Sequence, residues 1–467
     1  MKRSLIALTL ILVLLLTIPV SLVSVFLTTP DAYTDTYYGA LTPMYERLKK
    51  AEGKRIILIG GSAIAFGVNV SFLEAELDGY TVCPFGLYGT LGTKFMLDLA
   101  MPCLREGDIV VLSPEIAELP LSLYYSSAEI WKAAESDLSV ALFCGDPGAM
   151  VGSFPEYVAD RFRYATEGKP DTKGVYRADS FDENCQMVYP REYNNLPDMY
   201  DPNEPVTFDP AFLQPEFMGY LNEYHRYCSS IGAAIYYNFC PVNRMAVSGN
   251  ADIEGYYQKL LTELDFPVLG DPNNYLMDPE WFYDSNFHLN TAGSLVYTAR
   301  LTEDVKSALG DSSPTAFEMP QKPVVPLAPA EGNNRDADCF TYEVRESGIH
   351  LTGRTPAGMA REELILPSSY EGLPVVSFSP ELFAGDVHLQ QLTIPATVRT
   401  IYDDSFFGCA HLEQILLEAE IPNCTVGTGL LNGCQNARIM TPNKESYLGY
   451  IVNYYWAKYA SRTDYME

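Results

Sequence analysis

Two short stretches of this chain carry residues suited to nucleophilic chemistry: Gly60-Gly61-Ser62, and the polar loop Asp284-Ser-Asn-Phe-His288-Leu-Asn290. A serine hydroxyl attacks a carbonyl only when a base within hydrogen-bond reach takes its proton, and a carboxylate must orient that base. The loop offers a base, His288, and a carboxylate, Asp284, within five residues. Ser62 follows an apolar run and precedes a helix, so its hydroxyl should emerge at the carboxyl end of a strand beside backbone N–H groups able to hold an oxyanion. The two glycines permit a tight backbone that a Cβ would obstruct. Alone, Gly-Gly-Ser is also an ordinary strand-to-helix turn or an anion-binding corner, and a loop histidine can be structural; the combination points to catalysis. Of the other histidines, His225 falls on a helix and His350, His388 and His411 near the C-terminus. The ten cysteines form no C-x-x-C pair and no close cluster, so no metal or cofactor is expected, and few or no disulfides.

These side chains need elements to hold them. Arg55 to Ile59 reads as a buried strand, and Ser71-Phe-Leu-Glu74 as a capping box opening a helix that stops at Gly79. Tyr80 to Cys83, Ile109 to Leu112 and Ala233 to Phe239 read as further strands. Thr93 to Leu104, Phe217 to Ile231, Ile253 to Leu264 and Thr291 to Leu309 read as helices. This alternation predicts an α/β domain at 54–309 with a doubly wound parallel sheet, its function at the carboxyl ends of the strands. Between 119 and 215 the periodicity fails, which predicts a long insertion over the sheet edge, shaping access to the site.

The 467 residues hold 31 Lys plus Arg against 60 Asp plus Glu, a net charge of −29. The length predicts two or three domains, and 47% hydrophobic with 12% aromatic content excludes a wholly disordered chain. No basic segment exists to meet nucleic acid. Residues 4–27 run for 24 positions without a charge after Lys2 and Arg3, long enough to span a bilayer with the N-terminus inside. The apolar run exceeds a signal peptide's ~7–15 residues and lacks its small-residue cleavage site, so residues 1–30 are read as an uncleaved anchor, followed by a stalk at 31–53. The rest then lies outside the cytoplasm. Residues 310–338 hold five prolines and no apolar period, as a linker would. Beyond them Phe383-Ala-Gly385-Asp-Val-His-Leu389 recurs as Phe406-Phe-Gly408-Cys-Ala-His-Leu412 and more loosely from Leu431, shifts of 23 and 25 residues. Such periods, with Gln391 to Pro395 and Gln414 to Leu417 as strands, predict a small solenoid at 339–467 whose aromatic end, Tyr447 to Tyr459, caps the array.

Together, Ile56 to Gly67, Phe85-Gly86 to Gly92, Gly107 to Glu115 and Asp284 to Asn290 resemble the blocks of the SGNH, or GDSL-type, hydrolase superfamily, with its flavodoxin-like fold. They look especially like its anchored bacterial branch, related to the protein that acts in D-alanylation of teichoic acids. The resemblance implies Ser62 as nucleophile, His288 as base and Asp284 as its orienting acid, with Gly86 and the Ala63 N–H in the oxyanion hole. Two departures stand out. The place of the family's third-block Asn reads Ser113-Pro114-Glu115, which makes Glu115 a site neighbour and Asn238 or Asn243 a substitute donor. Asp284 and His288 are separated by three residues where the family has two. From Cys339 the chain resembles the BspA-like leucine-rich repeats of bacterial surface proteins, through Phe340-Thr-Tyr, Gly348 to Gly353, Leu364 to Pro367 and Gly372 to Ser377, which implies binding or adhesion.

The expectation is therefore a membrane-anchored, extracytoplasmic serine acyl esterase or acyltransferase acting on an acylated polysaccharide or cell-wall glycan. The membrane is met through residues 4–27, and the repeats take a protein or glycan ligand. The alternative is a non-catalytic surface binding or adhesion protein with a degenerate first domain. The strong negative charge makes a neutral glycan the safer partner than a polyanion.

Overall fold

The computed structural model describes residues 17–143, 145–169, 174–196, 199–324, 333–345, 347–453 and 455–466. The first sheet has four parallel strands, β1 (Lys54–Gly60), β2 (Tyr80–Gly86), β3 (Ile109–Leu112) and β4 (Ala234–Tyr237), in the order β2-β1-β3-β4. Its central strands are apolar without alternation because both faces are covered, and Ile56 to Ile59 are completely buried. Helices Ser62–Gly67 and Val70–Glu76 pack against the closing helix Thr291–Leu309. Helix Thr93–Ala100 meets Pro215–Ser230 instead, where the Tyr220 hydroxyl donates to Asp98 at 2.7 Å. Right-handed crossovers put the two groups on opposite faces of the sheet. The chain crosses from one face to the other between β1 and β3, and the segments leaving those two strands converge there.

Several local expectations change. Helix Val70–Glu76 is capped by Asn69, whose side chain accepts the Phe72 N–H at 2.9 Å, and not by a Ser71 box. Glu74 turns away to Arg47, 3.0 Å, and the Val82 N–H, 2.9 Å, joining the N-terminal helix Leu41–Lys50 to β2. The helix from Thr93 ends at Ala100 and tightens into a 3₁₀ turn over Met101–Cys103, since Pro102 has no N–H to continue the ladder. The stretch expected as a stalk is core: Tyr33, Tyr37, Leu41 and Leu48 are all 1% exposed or less. Its tyrosines pack against the insertion, as Tyr37 does on Tyr176 at 5.6 Å.

The anchor expected at 4–27 lies mostly outside the described residues. Residues 17–28 are helical with Ile18, Val20, Val23 and Leu27 exposed, and among the described residues no helix is long and apolar enough to cross a membrane. The nine described cysteines are unbridged.

The C-terminal part is a solenoid of stacked parallel strands. Glu363–Ile365, Gln391–Ile394, Gln414–Leu417, Arg438–Thr441 and Thr463–Tyr465 form one sheet, with Gln391 paired to Gln414 and Gln414 to Arg438. Leu373–Phe378, Thr400–Ile401 and Thr425–Val426 continue a second sheet begun by Gly348–Arg354. Gly385, Gly408 and Gly433 recur at the same turn with φ of 75°, 74° and 80°, a conformation side chains disfavour, and that is why this glycine repeats. The aromatic end caps the stack through Trp456, 1% exposed, and also docks on the first domain, where Leu448 and Ile451 join the core of the sheet domain. Asn203 of the insertion bonds both to the Ile401 carbonyl, 3.2 Å, and the Asp403 N–H, 3.1 Å.

Candidate active site

Ser62 is the first residue of its short helix, directly beyond β1, so the strand fixes its backbone and the helix turn lifts its hydroxyl out of the sheet. The hydroxyl oxygen lies 2.8 Å from His288 Nε2. His288 Nδ1 lies 2.8 Å from Asp284 Oδ1, so the three residues form a continuous hydrogen-bonded chain. The extra residue between Asp284 and His288 is absorbed by a turn in which Ser285 Oγ accepts the N–H groups of Phe287, 3.1 Å, and His288, 3.0 Å. That turn swings the histidine ring back over its own carboxylate.

The loop is held from all sides. Asn290 caps the closing helix at the Gly293 N–H, 2.8 Å, and donates to the carbonyls of Glu280 and Phe282 at 2.7 and 3.0 Å. Asn286 binds the insertion by accepting from the Asp201 N–H and donating to the Asp201 and Glu204 carbonyls, each at 2.8 Å. Phe66, one turn beyond Ser62, lies flat on the His288 ring with centroids 3.9 Å apart and planes 9° from parallel. Arg191 lies over the same Phe66 ring and donates to the Phe66 and Leu289 carbonyls at 2.8 and 3.1 Å. Burial brings the Arg191 guanidinium down to about 10.

Asp284 has three partners. Besides His288, its Oδ2 accepts from the Tyr176 hydroxyl at 2.8 Å, and its backbone carbonyl accepts from Tyr455 of the repeat cap at 3.0 Å. Burial, then the charge of Asp284, pushes the Tyr176 phenol well above its ordinary value, so it stays a donor. Sequence reasoning missed Tyr176, Phe66, Arg191 and Tyr455. Phe66 stood in the first block and could have been read as one helical turn from Ser62; Tyr455 belongs to the aromatic end read as a cap, with nothing to tie it to the site, and Tyr176 and Arg191 come from the insertion, where periodicity fails.

The expected oxyanion donors are arranged differently. The Ala63 N–H donates to Glu115 Oε1 at 2.8 Å, and the same oxygen lies 3.4 Å from Ser62 Oγ. Glu115, at the end of the segment leaving β3, is only 6% exposed. Burial raises its carboxyl above the ordinary range, against the lowering effect of the Ala63 N–H and its own. Gly61 is required here, since a Cβ would stand 2.3 Å from Glu115 Oε2. Gly86 closes the other side, where a Cβ would meet the Gly61 carbonyl at 2.5 Å. Asn243 is not brought to the serine: its Nδ2 donates to the Met199 carbonyl of the insertion at 2.7 Å and its Oδ1 accepts the Met245 N–H of its own loop at 3.1 Å, so both ends are occupied elsewhere. Asn238 likewise donates to Asp304 at 2.9 Å. Among the described residues no group of three or more His, Cys, Asp or Glu side chains is placed to hold a metal ion.

No protein-family model matches the chain, and no curated protein matches it. Several solved structures align with part of it, two of which are leucine-rich repeat proteins. One is a leucine-rich cell-surface protein from Faecalibacterium prausnitzii, at 16% identity over 25% of this chain and 30% of that one, with a TM-score of 0.18. The other is a leucine-rich repeat protein of T. pallidum, at 19% identity over 23% of this chain and 70% of that one, with a TM-score of 0.17. The repeat architecture rests on the strand stacking described above.

Proposed function

We propose that the protein is a serine acyl esterase or acyltransferase, anchored at the membrane through residues 4–27, which acts outside the cytoplasm on an acylated glycan. The observation that carries this reading is the Ser62–His288–Asp284 chain, with both links at 2.8 Å. Neutral His288, holding its Nδ1 proton on Asp284, takes the Ser62 proton at Nε2 as Oγ bonds to the ester carbon. The tetrahedral intermediate collapses as the imidazolium protonates the leaving alcohol, leaving the acyl group on Ser62. Water or a sugar hydroxyl then attacks the acyl-enzyme, giving its proton to His288, and the imidazolium returns that proton to Ser62 Oγ as the acyl–Oγ bond breaks. The acylated glycan follows from the resemblance of the sequence blocks, and a neutral one suits a chain of charge −29.

The test is covalent labelling of the full-length chain with a fluorophosphonate, followed by turnover of a small acetyl ester. Labelling at Ser62, lost in Ser62→Ala together with at least about 10⁴-fold in kcat/KM, is expected. A wild-type chain that neither labels nor turns over rules the reading out.

The second reading is a surface protein whose first domain only presents the repeats. The Glu115 contact with the Ala63 N–H favours it, because an ionised carboxylate there would fill the place of an oxyanion. It predicts intact folding and ligand capture by the repeats in Ser62→Ala.

A further inference from the structure

Beside the triad sits a carboxyl group that the serine–histidine chemistry leaves unused. Its two oxygens are not equivalent: Glu115 Oε1 accepts the Ala63 N–H at 2.8 Å, whereas Oε2 is buried and has no hydrogen-bond partner. The group lies flat against Gly61, where an added Cβ would come within 2.3 Å of Oε2 and 2.4 Å of Oε1, and Oε2 also faces Gly89, whose Cβ would stand 3.8 Å away. The titratable groups that act on it are His288 from the acid–base loop, Tyr37 from the N-terminal segment, Cys240 from the loop after β4 and Tyr297 from the closing helix. Of these only His288 can carry a positive charge.

We infer that Glu115 is a neutral carboxylic acid in the working site, and that its Oε2–H is the side-chain donor to the oxyanion formed on the substrate carbonyl. The inference rests on the serine-esterase reading and deepens it. A carboxylate at this buried position would set a second negative charge beside the developing one; the acid instead gives a donor that needs no reorganisation. Oε1, accepting from Ala63, is then the carbonyl oxygen of the acid, and the Ala63 N–H polarises the acid rather than meeting substrate. Burial favours the neutral form in the same direction.

The pH dependence has a defined sign. Activity falls on the alkaline side as Glu115 ionises, so Glu115 sets the alkaline limb. Glu115→Gln keeps a carbonyl for Ala63 and an N–H where Oε2–H stood. It should hold kcat/KM within about tenfold of wild type and lose the alkaline limb, whereas Glu115→Ala should fall by about 10²–10³. A readout free of turnover is the infrared difference between the resting wild type and Glu115→Gln at neutral pH, which should contain the C=O stretch of a protonated carboxyl. An ionised-carboxylate band in its place, or an alkaline limb that persists in Glu115→Gln, overturns the donor role while Ser62 labelling leaves the esterase reading standing. Failure of Ser62 to label overturns both.

Discussion

Asp284 joins three partners, and each of them does a different job. His288 needs it to fix the tautomer; Tyr176 occupies the second carboxylate oxygen and stops the carboxyl from rotating away. Tyr176→Phe removes one hydrogen bond to a charged group, about 1.5–3 kcal/mol, so kcat/KM on a small ester should fall by roughly tenfold or more with little change in KM. Gly61→Ala drives a methyl group into the Glu115 carboxyl, since the Cβ site is 2.3 Å from Oε2, and the buried carboxyl must shift off the Ala63 N–H to make room. We expect that variant to lose both Ser62 labelling and thermal stability, measured by gel fluorescence and by a melting curve. Ser62, His288 and Asp284 could all be named from the sequence because polar residues in short, glycine-flanked blocks stand out against apolar strands. Asn243 could not be assigned that way. Position after a strand end says which side of the sheet a residue is on, but not which way its amide turns.

At the scale of elements, the site is a meeting of three segments: the turn after β1, the segment after β3 and the loop before the closing helix. The strands were legible because Ile, Val and Leu in short runs between turn residues have few other uses. Helix ends were less so. Asn69 and Ser71 both have capping side chains two residues apart, and the winner was decided by Glu74, which is drawn off to Arg47 and the Val82 N–H. Asn290 shows how an element serves the site at a distance, because one completely buried side chain caps the closing helix and holds two carbonyls of the histidine loop. Asn290→Ala should cost at least about 1–2 kcal/mol in chemical denaturation and slow phosphonate labelling of Ser62, as the loop loses its lower support.

At the scale of the whole molecule, the repeat cap is part of the wall of the candidate site. Tyr455 donates to the Asp284 carbonyl, and Leu448 and Ile451 complete the core of the sheet domain. A chain ending at residue 338 should therefore melt several degrees lower, since burying two such side chains is worth about 1.5–3 kcal/mol each. The junction is also sensitive to pH. Asp201, which meets Tyr455, is pushed up to about 7, first by burial and then by Glu204, with Lys458 facing both. Its folded value lies above the unfolded one, about 3.9, so the neutral form is favoured by folding. That stability is fully present below the unfolded value, declines as pH rises towards 7, and is gone above it. Melting temperature against pH should show this fall across the interval, and Asp201→Asn should flatten it.

The sequence by itself determined the alternation of strand and helix, the solenoid period and the three residues of the hydrogen-bonded chain. Each of these follows from a local rule, the apolar pattern of buried strands, the glycine of a left-handed turn, or polar residues set in a loop. Tertiary structure alone decided that residues 31–53 are core, that the cap touches Asp284, and that Glu115 rather than an asparagine lies on the Ala63 N–H. Those outcomes depend on which surfaces far apart in the chain exclude water from one another, and no local pattern of residues encodes such a pairing.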